Sequence, residues 1–180
     1  MIVLVGGGVR SGKSSFALAR AEALGARRVF VATAEAGDGE MADRITRHQA
    51  ERGDRFRTVE APIDLAGALR AIDADVVLID CITLWLSNLL VRDLPRIDQR
   101  IDELTATLSR LPMHAVVVTN EVGMGVVPPS PLGRAFRDLA GTAHQRLAAI
   151  AGEIHLAALG VVLRLRPSPV EIGAPHVPPG

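Results

Sequence analysis

Ile2-Val3-Leu4-Val5 runs directly into Gly7-Gly8-Val9-Arg10-Ser11-Gly12-Lys13-Ser14, and this junction restricts the fold more than any other part of the 180-residue chain. A short β-branched run suits a buried parallel strand. Gly7, then Gly12-Lys13-Ser14 at the spacing Gly-x-x-x-x-Gly-Lys-Ser, is the pattern of a phosphate-binding loop, or P-loop. Glycines let backbone N–H groups converge on phosphate oxygens, and the helix that follows directs its positive end at them. Lys13 is expected to reach the terminal phosphates, and Ser14 to ligate magnesium. An ordinary glycine-rich turn would require neither the strand in front nor the predicted helix, Ser14 to Leu24, behind.

Composition sharpens this reading. Lysine and arginine together number 20, yet Lys13 is the one lysine and every other basic residue is arginine. A chain so biased toward arginine keeps lysine where a compact ammonium is needed and a planar guanidinium does not fit. The formal net charge is zero and aromatic residues make up 3%, with no tyrosine. Such a chain has neither the positive footprint nor the stacking platforms of a nucleic-acid binder. One cysteine, Cys81, excludes an internal disulfide framework and a multi-cysteine metal site. No leader-like segment precedes the first strand and no apolar stretch reaches the length of a membrane span, so a cytoplasmic location is expected.

Further strands are predicted at Arg28–Thr33, Phe56–Glu60, Val76–Asp80, Ala115–Thr119, Glu153–Ala157 and Val161–Leu165, the last two forming a C-terminal hairpin around Gly160. Helical patterns fall between them at Gly39–Gly53, Ile63–Ile72, Ile97–Leu111 and Leu132–Ala151. This alternation predicts an α/β fold with a mostly parallel sheet and helices on both faces. One domain is expected over residues 1–166, with a tail over 167–180 that carries five prolines and two glycines.

Ligands of open α/β sheets lie beyond the carboxyl ends of the strands. Those ends carry Gly7 to Lys13, Thr33-Ala34-Glu35, Glu60, Asp80 and Asn120-Glu121. Asp80, after Val76-Val77-Leu78-Ile79, has the position of a magnesium-holding carboxylate; it is also placed to cap a following helix. Glu121 is placed to polarise a water or a substrate hydroxyl, or to remain a solvated loop residue. Thr119-Asn120-Glu121-Val122-Gly123 is not the Asn-Lys-x-Asp run of guanine-reading switch proteins. Of the five histidines, His48 lies on a predicted polar helix with Arg44 and Arg52 on its face. Two such cations favour the neutral imidazole and can grip an anionic phosphate, although a helix histidine among arginines is also an ordinary surface arrangement.

Beyond the loop, the sequence resembles the bifunctional adenosylcobinamide kinase/adenosylcobinamide-phosphate guanylyltransferase family of cobalamin synthesis. The segments that carry the likeness are Gly7 to Ser14, Ala32-Thr33-Ala34-Glu35, Glu40-Met41, Arg44-Ile45 with His48 and Arg52, Thr58-Val59-Glu60, and Asp80-Cys81-Ile82-Thr83. Two more are quite specific, Asn120-Glu121-Val122-Gly123-Met124-Gly125 and Phe136-Arg137-Asp138-x-Ala140-Gly141. Departures are His144 where asparagine is usual, Phe56 in place of a common tryptophan, Arg47 where some relatives carry a second histidine, and the proline-rich tail.

The resemblance implies a RecA-like P-loop fold and a trimer. It implies that ATP or GTP phosphorylates the corrinoid and that GTP then guanylylates His48, from which GMP passes to the substrate phosphate to give adenosylcobinamide-GDP. It implies nucleotide contacts from Gly7, Gly8, Val9, Arg10, Ser11, Gly12, Lys13, Ser14, Thr33, Ala34, Glu35, Gln49, Ala50, Glu51, Arg52, Glu60 and Asp80. Magnesium is expected on Ser14 and Asp80. The competing readings are a small-molecule kinase without the guanylyl step and a non-catalytic RecA-type nucleotide-binding module.

Overall fold

Seven strands form one sheet in the order β3-β2-β4-β5-β1-β6-β7. The computed structural model describes residues 1–35 and 53–167. The strands are β1 (Ile2–Gly7), β2 (Arg28–Ala32), β3 (Arg57–Glu60), β4 (Val76–Asp80), β5 (His114–Asn120), β6 (Glu153–Ala158) and β7 (Val161–Arg166). The first six run parallel, and β7 turns back antiparallel on β6 through Leu159-Gly160. Both residues of that turn have positive φ, 55° and 78°, a pairing that Gly160 accepts without strain. Each predicted strand is present, with ends moved by a residue or two. The predicted helix over 39–53 lies, apart from Gly53, outside the described residues, as does the tail beyond Pro167.

The helices are α1 (Lys13–Glu22), α2 (Leu65–Arg70), α3 (Ile82–Arg92), α4 (Ile97–Arg110) and α5 (Pro131–Ile150). Alternate strand residues face opposite ways, so the sheet carries two apolar surfaces. Leu4, Val31, Ile79 and Val117 pack with α2 to α5 through Leu65, Leu69, Leu86, Leu104 and Leu147. Val3, Val5, Leu78 and Val118 pack with α1 through Ala17 and Ala21, and with Phe56. Each large side chain fully withdrawn from water contributes about 1.5–3 kcal/mol, and Trp85, Leu86 and Leu89 of α3 are all in that class. Trp85 also satisfies its indole nitrogen, donating to Ile63 O at 2.9 Å.

α3 has no counterpart among the predicted helices. Its inner stripe of Ile82, Trp85, Leu86 and Leu89 has helical spacing, but Leu84, Leu90 and the exposed Val91 are apolar too and blur the period. Among the described residues no helix is long and apolar enough to cross a membrane.

Candidate active site

The carboxyl ends of the parallel strands are brought level by the register. One row across the sheet reads Glu60, Ala32, Asp80, Val118, Val5 and His155. Two residues further along, Gly7 lies between Asn120 and Ala157, and the loop to α1 begins there. A Cβ on Gly7 would meet Ala157 O at 2.5 Å and Ser11 Oγ at 2.7 Å, so only glycine lets the chain leave the sheet so tightly. Gly12, at φ 93°, turns the backbone into the first residue of α1. Lys13 therefore opens the helix itself; its side chain is 6% exposed and donates from Nζ to Gly8 O at 3.1 Å. The ammonium lies inside the loop whose N–H groups form the anion cradle.

α1 is held in place at its far end. Arg20 donates from Nε and Nη2 to the two Glu153 carboxylate oxygens, at 3.1 and 2.7 Å. Arg20, assisted by His155, holds the Glu153 carboxyl below its usual range. His155 in turn stacks at a tilt on Phe16 of α1, with ring centroids 4.8 Å apart. These contacts tie the helix carrying Lys13 and Ser14 to β6.

Asp80 ends β4, and the residue capping α3 is Cys81, with no side-chain cap bond. The capping role open to Asp80 in sequence thus falls to its neighbour. Burial pushes the Cys81 thiol up; the Asp80 charge pushes the same way and the Lys13 charge opposes it. One buried sulfur accordingly feels both the loop lysine and the strand-end aspartate, which the fold brings together. Ser14 and Asp80 are the oxygen donors here suited to a hard cation. Among the described residues no three His, Cys, Asp or Glu side chains gather into a metal cage. A cation at this edge would be held jointly with phosphate oxygens, the usual arrangement for magnesium on nucleotides.

Thr33 was expected as a nucleotide contact and is fully buried. Its hydroxyl donates to Cys81 O and accepts from Cys81 N, both at 2.8 Å. Asn88 of α3 donates to Thr33 O at 2.8 Å and to Pro62 O at 3.1 Å. The ends of β2, β3 and β4 are thereby fastened around the peptide that follows Asp80. Sequence reading did not single out Asn88, because the helix bearing it was not recognised. Losing the Thr33 hydroxyl would strand two buried backbone groups at about 1–3 kcal/mol. Thr33→Val is expected to lower stability by that amount and to raise the magnesium concentration for half-maximal turnover, while Thr33→Ser restores both. Denaturant unfolding and a magnesium titration measure the two effects; an unchanged magnesium requirement in Thr33→Val would show that the clasp does not aim Asp80.

The remaining expected residues separate into engaged and open positions. Glu35 is bound by Arg92 of α3, 2.7 Å from Nη1 to Oε1 and 2.5 Å from Nη2 to Oε2. Ala34 is half-buried beside it and Glu60 is exposed. Gly8, Val9 and Arg10 form the exposed tip of the loop. Glu121 donates from its backbone N to Gly7 O at 3.1 Å, and its carboxylate accepts from Gly123 N at 2.6 Å. His144 of α5 hydrogen-bonds through Nε2 to Thr119 Oγ1 at 2.7 Å, and burial depresses its pKa against the pull of Glu121. His48, Gln49, Ala50, Glu51 and Arg52, together with Arg44, lie outside the described residues.

A lysine-bearing phosphate loop between β1 and α1, opposite a strand-end aspartate on a mostly parallel sheet, defines a RecA-like P-loop nucleotide-binding protein. The fold is shared with the flagellar accessory protein FlaH of Methanocaldococcus jannaschii, at TM-score 0.50 and 10% identity over 92% of this chain and 77% of that one. It is shared equally with the PH0250 protein of Pyrococcus horikoshii OT3, at TM-score 0.54 and 9% identity over 92% and 85%. The chain belongs to the cobinamide kinase / cobinamide phosphate guanyltransferase family, which it matches over residues 3–165. It is 42% identical over 171 residues to the bifunctional adenosylcobalamin biosynthesis protein CobP of Pseudomonas aeruginosa, covering 93% of this chain and 98% of that protein. It is 39% identical over 185 residues to the protein CobU of Escherichia coli, likewise called a bifunctional adenosylcobalamin biosynthesis protein, covering 92% and 100%.

Proposed function

We propose that this chain is a bifunctional transferase that phosphorylates adenosylcobinamide with ATP or GTP and then converts the phosphate to adenosylcobinamide-GDP in cobalamin biosynthesis. The observation that carries the reading is the loop itself: the one lysine of a family member sits buried beneath the phosphate loop, and the thiol of Cys81, next to Asp80, feels its charge. In the first reaction the loop N–H groups and Lys13 hold the β- and γ-phosphates; the aminopropanol hydroxyl oxygen of the corrinoid bonds to the γ-phosphorus and loses its proton, and the bond to the β-phosphate oxygen breaks, releasing the nucleoside diphosphate. An acid such as Glu121, which follows β5, or Glu35 would orient that hydroxyl. Ser14 and Asp80 would hold magnesium, whose contribution is to neutralise charge on the phosphate oxygens.

In the second reaction a ring nitrogen of His48 bonds to the α-phosphorus of GTP and the bond to the β-phosphate oxygen breaks, releasing pyrophosphate. The phosphate of the corrinoid then attacks the same phosphorus and frees the imidazole. Arg44 and Arg52 supply cationic support on the face of His48. Gln49, Ala50, Glu51 and Arg52 are proposed to line the nucleotide, with Ala34, Glu35 and Glu60. We propose a homotrimer as the assembly; Val161, Leu163 and Leu165 stay exposed on one face of the outer strand β7, an apolar stripe for it to cover.

The test is incubation with adenosylcobinamide, magnesium and GTP, followed by mass analysis. Adenosylcobinamide-GDP is the expected product. Accumulation of adenosylcobinamide phosphate alone would identify a kinase without the guanylyl step, and a corrinoid left unmodified while nucleotide binds would identify a binding module.

A further inference from the structure

The segment that joins β5 to α5 carries no charged residue from Val122 to Leu132. It also turns apolar side chains outward. Met124 is 80% exposed and Val126 95%, and Val127 and Leu132 are exposed as well. Single exposed apolar residues are ordinary, whereas these four fall within nine consecutive positions and form a patch of the kind that marks an interaction site. The base of the segment is bonded to the phosphate loop. Glu121 donates from its backbone N to Gly7 O at 3.1 Å, and Gly7 pairs with Asn120 across the sheet. Val9 is the exposed apolar member of that neighbouring loop.

Both ends of the segment are braced. Arg134 donates from Nη1 to Pro128 O and Pro129 O at 3.1 and 2.8 Å, and Ser130 Oγ accepts from Gly133 N at 3.1 Å. At the other end Glu121 accepts from Gly123 N at 2.6 Å. Between these ties, no hydrogen bond to a described residue engages the peptide groups from Met124 to Val127. A triphosphate is gripped by cations and converging N–H groups, and this stretch has no cation to offer. It offers apolar area and open peptide groups, the complement of an uncharged ring system that bears amide substituents.

We propose that Met124, Val126, Val127 and Leu132 form the docking surface for the corrin ring of the acceptor, and that this segment selects a corrinoid. The occupant follows from reach. The acceptor hydroxyl has to meet the γ-phosphate held by the loop after β1, so the rest of the acceptor lies over elements that adjoin that loop. The segment after β5 adjoins it directly, through Glu121 and Gly7. A corrin has broad apolar faces and a rim of amides; the faces match the exposed side chains and the amides match the open peptide groups. Covering those faces supplies binding energy remote from the reacting hydroxyl, which positions a small reacting group carried on a large substrate. This role rests on the function proposed above, from which the corrinoid acceptor comes.

The double variant Met124→Ser/Val126→Ser in the full chain tests this, with Met124→Leu/Val126→Ile as its conservative counterpart. Both side chains are exposed, so melting temperature and mass by light scattering are expected to match the parent protein. The serine pair is expected to raise KM for adenosylcobinamide about tenfold, with KM for the nucleoside triphosphate and kcat nearly unchanged. The conservative pair stays near the parent. A corrinoid that lacks the aminopropanol arm is expected to compete with adenosylcobinamide, and to do so about tenfold more weakly in the serine pair. A KM for adenosylcobinamide that rises less than about twofold in the serine pair overturns the docking surface and leaves the function standing. So does a change in assembled mass, which would make the patch a contact between copies of the chain. A parent protein that neither phosphorylates nor binds adenosylcobinamide removes the function proposed above, and this surface with it.

Discussion

Lys13→Ala is expected to lower corrinoid phosphorylation by on the order of 10² to 10³, the usual loss when one charge-stabilising group is withdrawn from a transition state. Lys13 is 6% exposed and its ammonium is bonded to Gly8 O at 3.1 Å, so it acts where water is largely excluded and its charge is little screened. No other lysine exists to replace it. Lys13→Arg is expected to fail as well, because a guanidinium is too broad and rigid for the space under the loop. Stability should change little, since alanine suits the first turn of α1 and leaves no buried charge behind. Steady-state phosphorylation assays with a parallel melting curve measure both; near-normal phosphorylation by Lys13→Ala would remove the loop from the mechanism.

The second large effect divides the two reactions. His48→Ala is expected to leave phosphorylation of adenosylcobinamide intact and to lower guanylyl transfer by at least about 10³, as removal of a covalent nucleophile does. The parent protein should retain label from α-labelled GTP as a phosphoramidate that survives base and breaks in acid. His48→Ala should retain none. His144 provides the control, its pKa depressed by burial and its Nε2 joined to Thr119 Oγ1 at 2.7 Å. His144→Asn should still take the label. His114 is a poor rival, bonded to the Met1 amino group at the amino end of β5, and His155 is committed to Glu153. Label retained by His48→Ala would mean that another residue is the nucleophile.

Local signals carried most of the architecture. The runs at Val76–Asp80 and Ala115–Thr119 are apolar and β-branched, and they appear as the strands β4 and β5. The phosphate loop was legible because its spacing is a covalent fact of the sequence. What escaped depends on partners distant in the chain. Thr33 follows a strand and looks like a ligand residue; only the pairing of Ala32 with Asp80 turns its hydroxyl onto the Cys81 peptide. α3 escaped because the sheet and α5 bury one of its faces while apolar residues also occupy the other. Position 10 matched the loop motif, and nothing in the letters reveals that Arg10 has a left-handed backbone, at φ 55°.

The order of strands also governs when the site can exist during synthesis. β1 leaves the ribosome first, yet it is a central strand: Val5 pairs with Val118 on one side and His155 on the other. Until β5 and β6 have emerged, the N-terminal strand has no neighbours to hydrogen-bond and the loop hanging from it has no wall. Distant pairings of this kind form late, because loop-closure entropy must be overcome before they yield any stabilisation. A nascent chain carries its phosphate motif from the first residues, but acquires affinity for nucleotide only when almost the whole domain has been made. Nucleotide binding therefore requires the chain through β6, and premature termination before residue 153 leaves the motif without its fold.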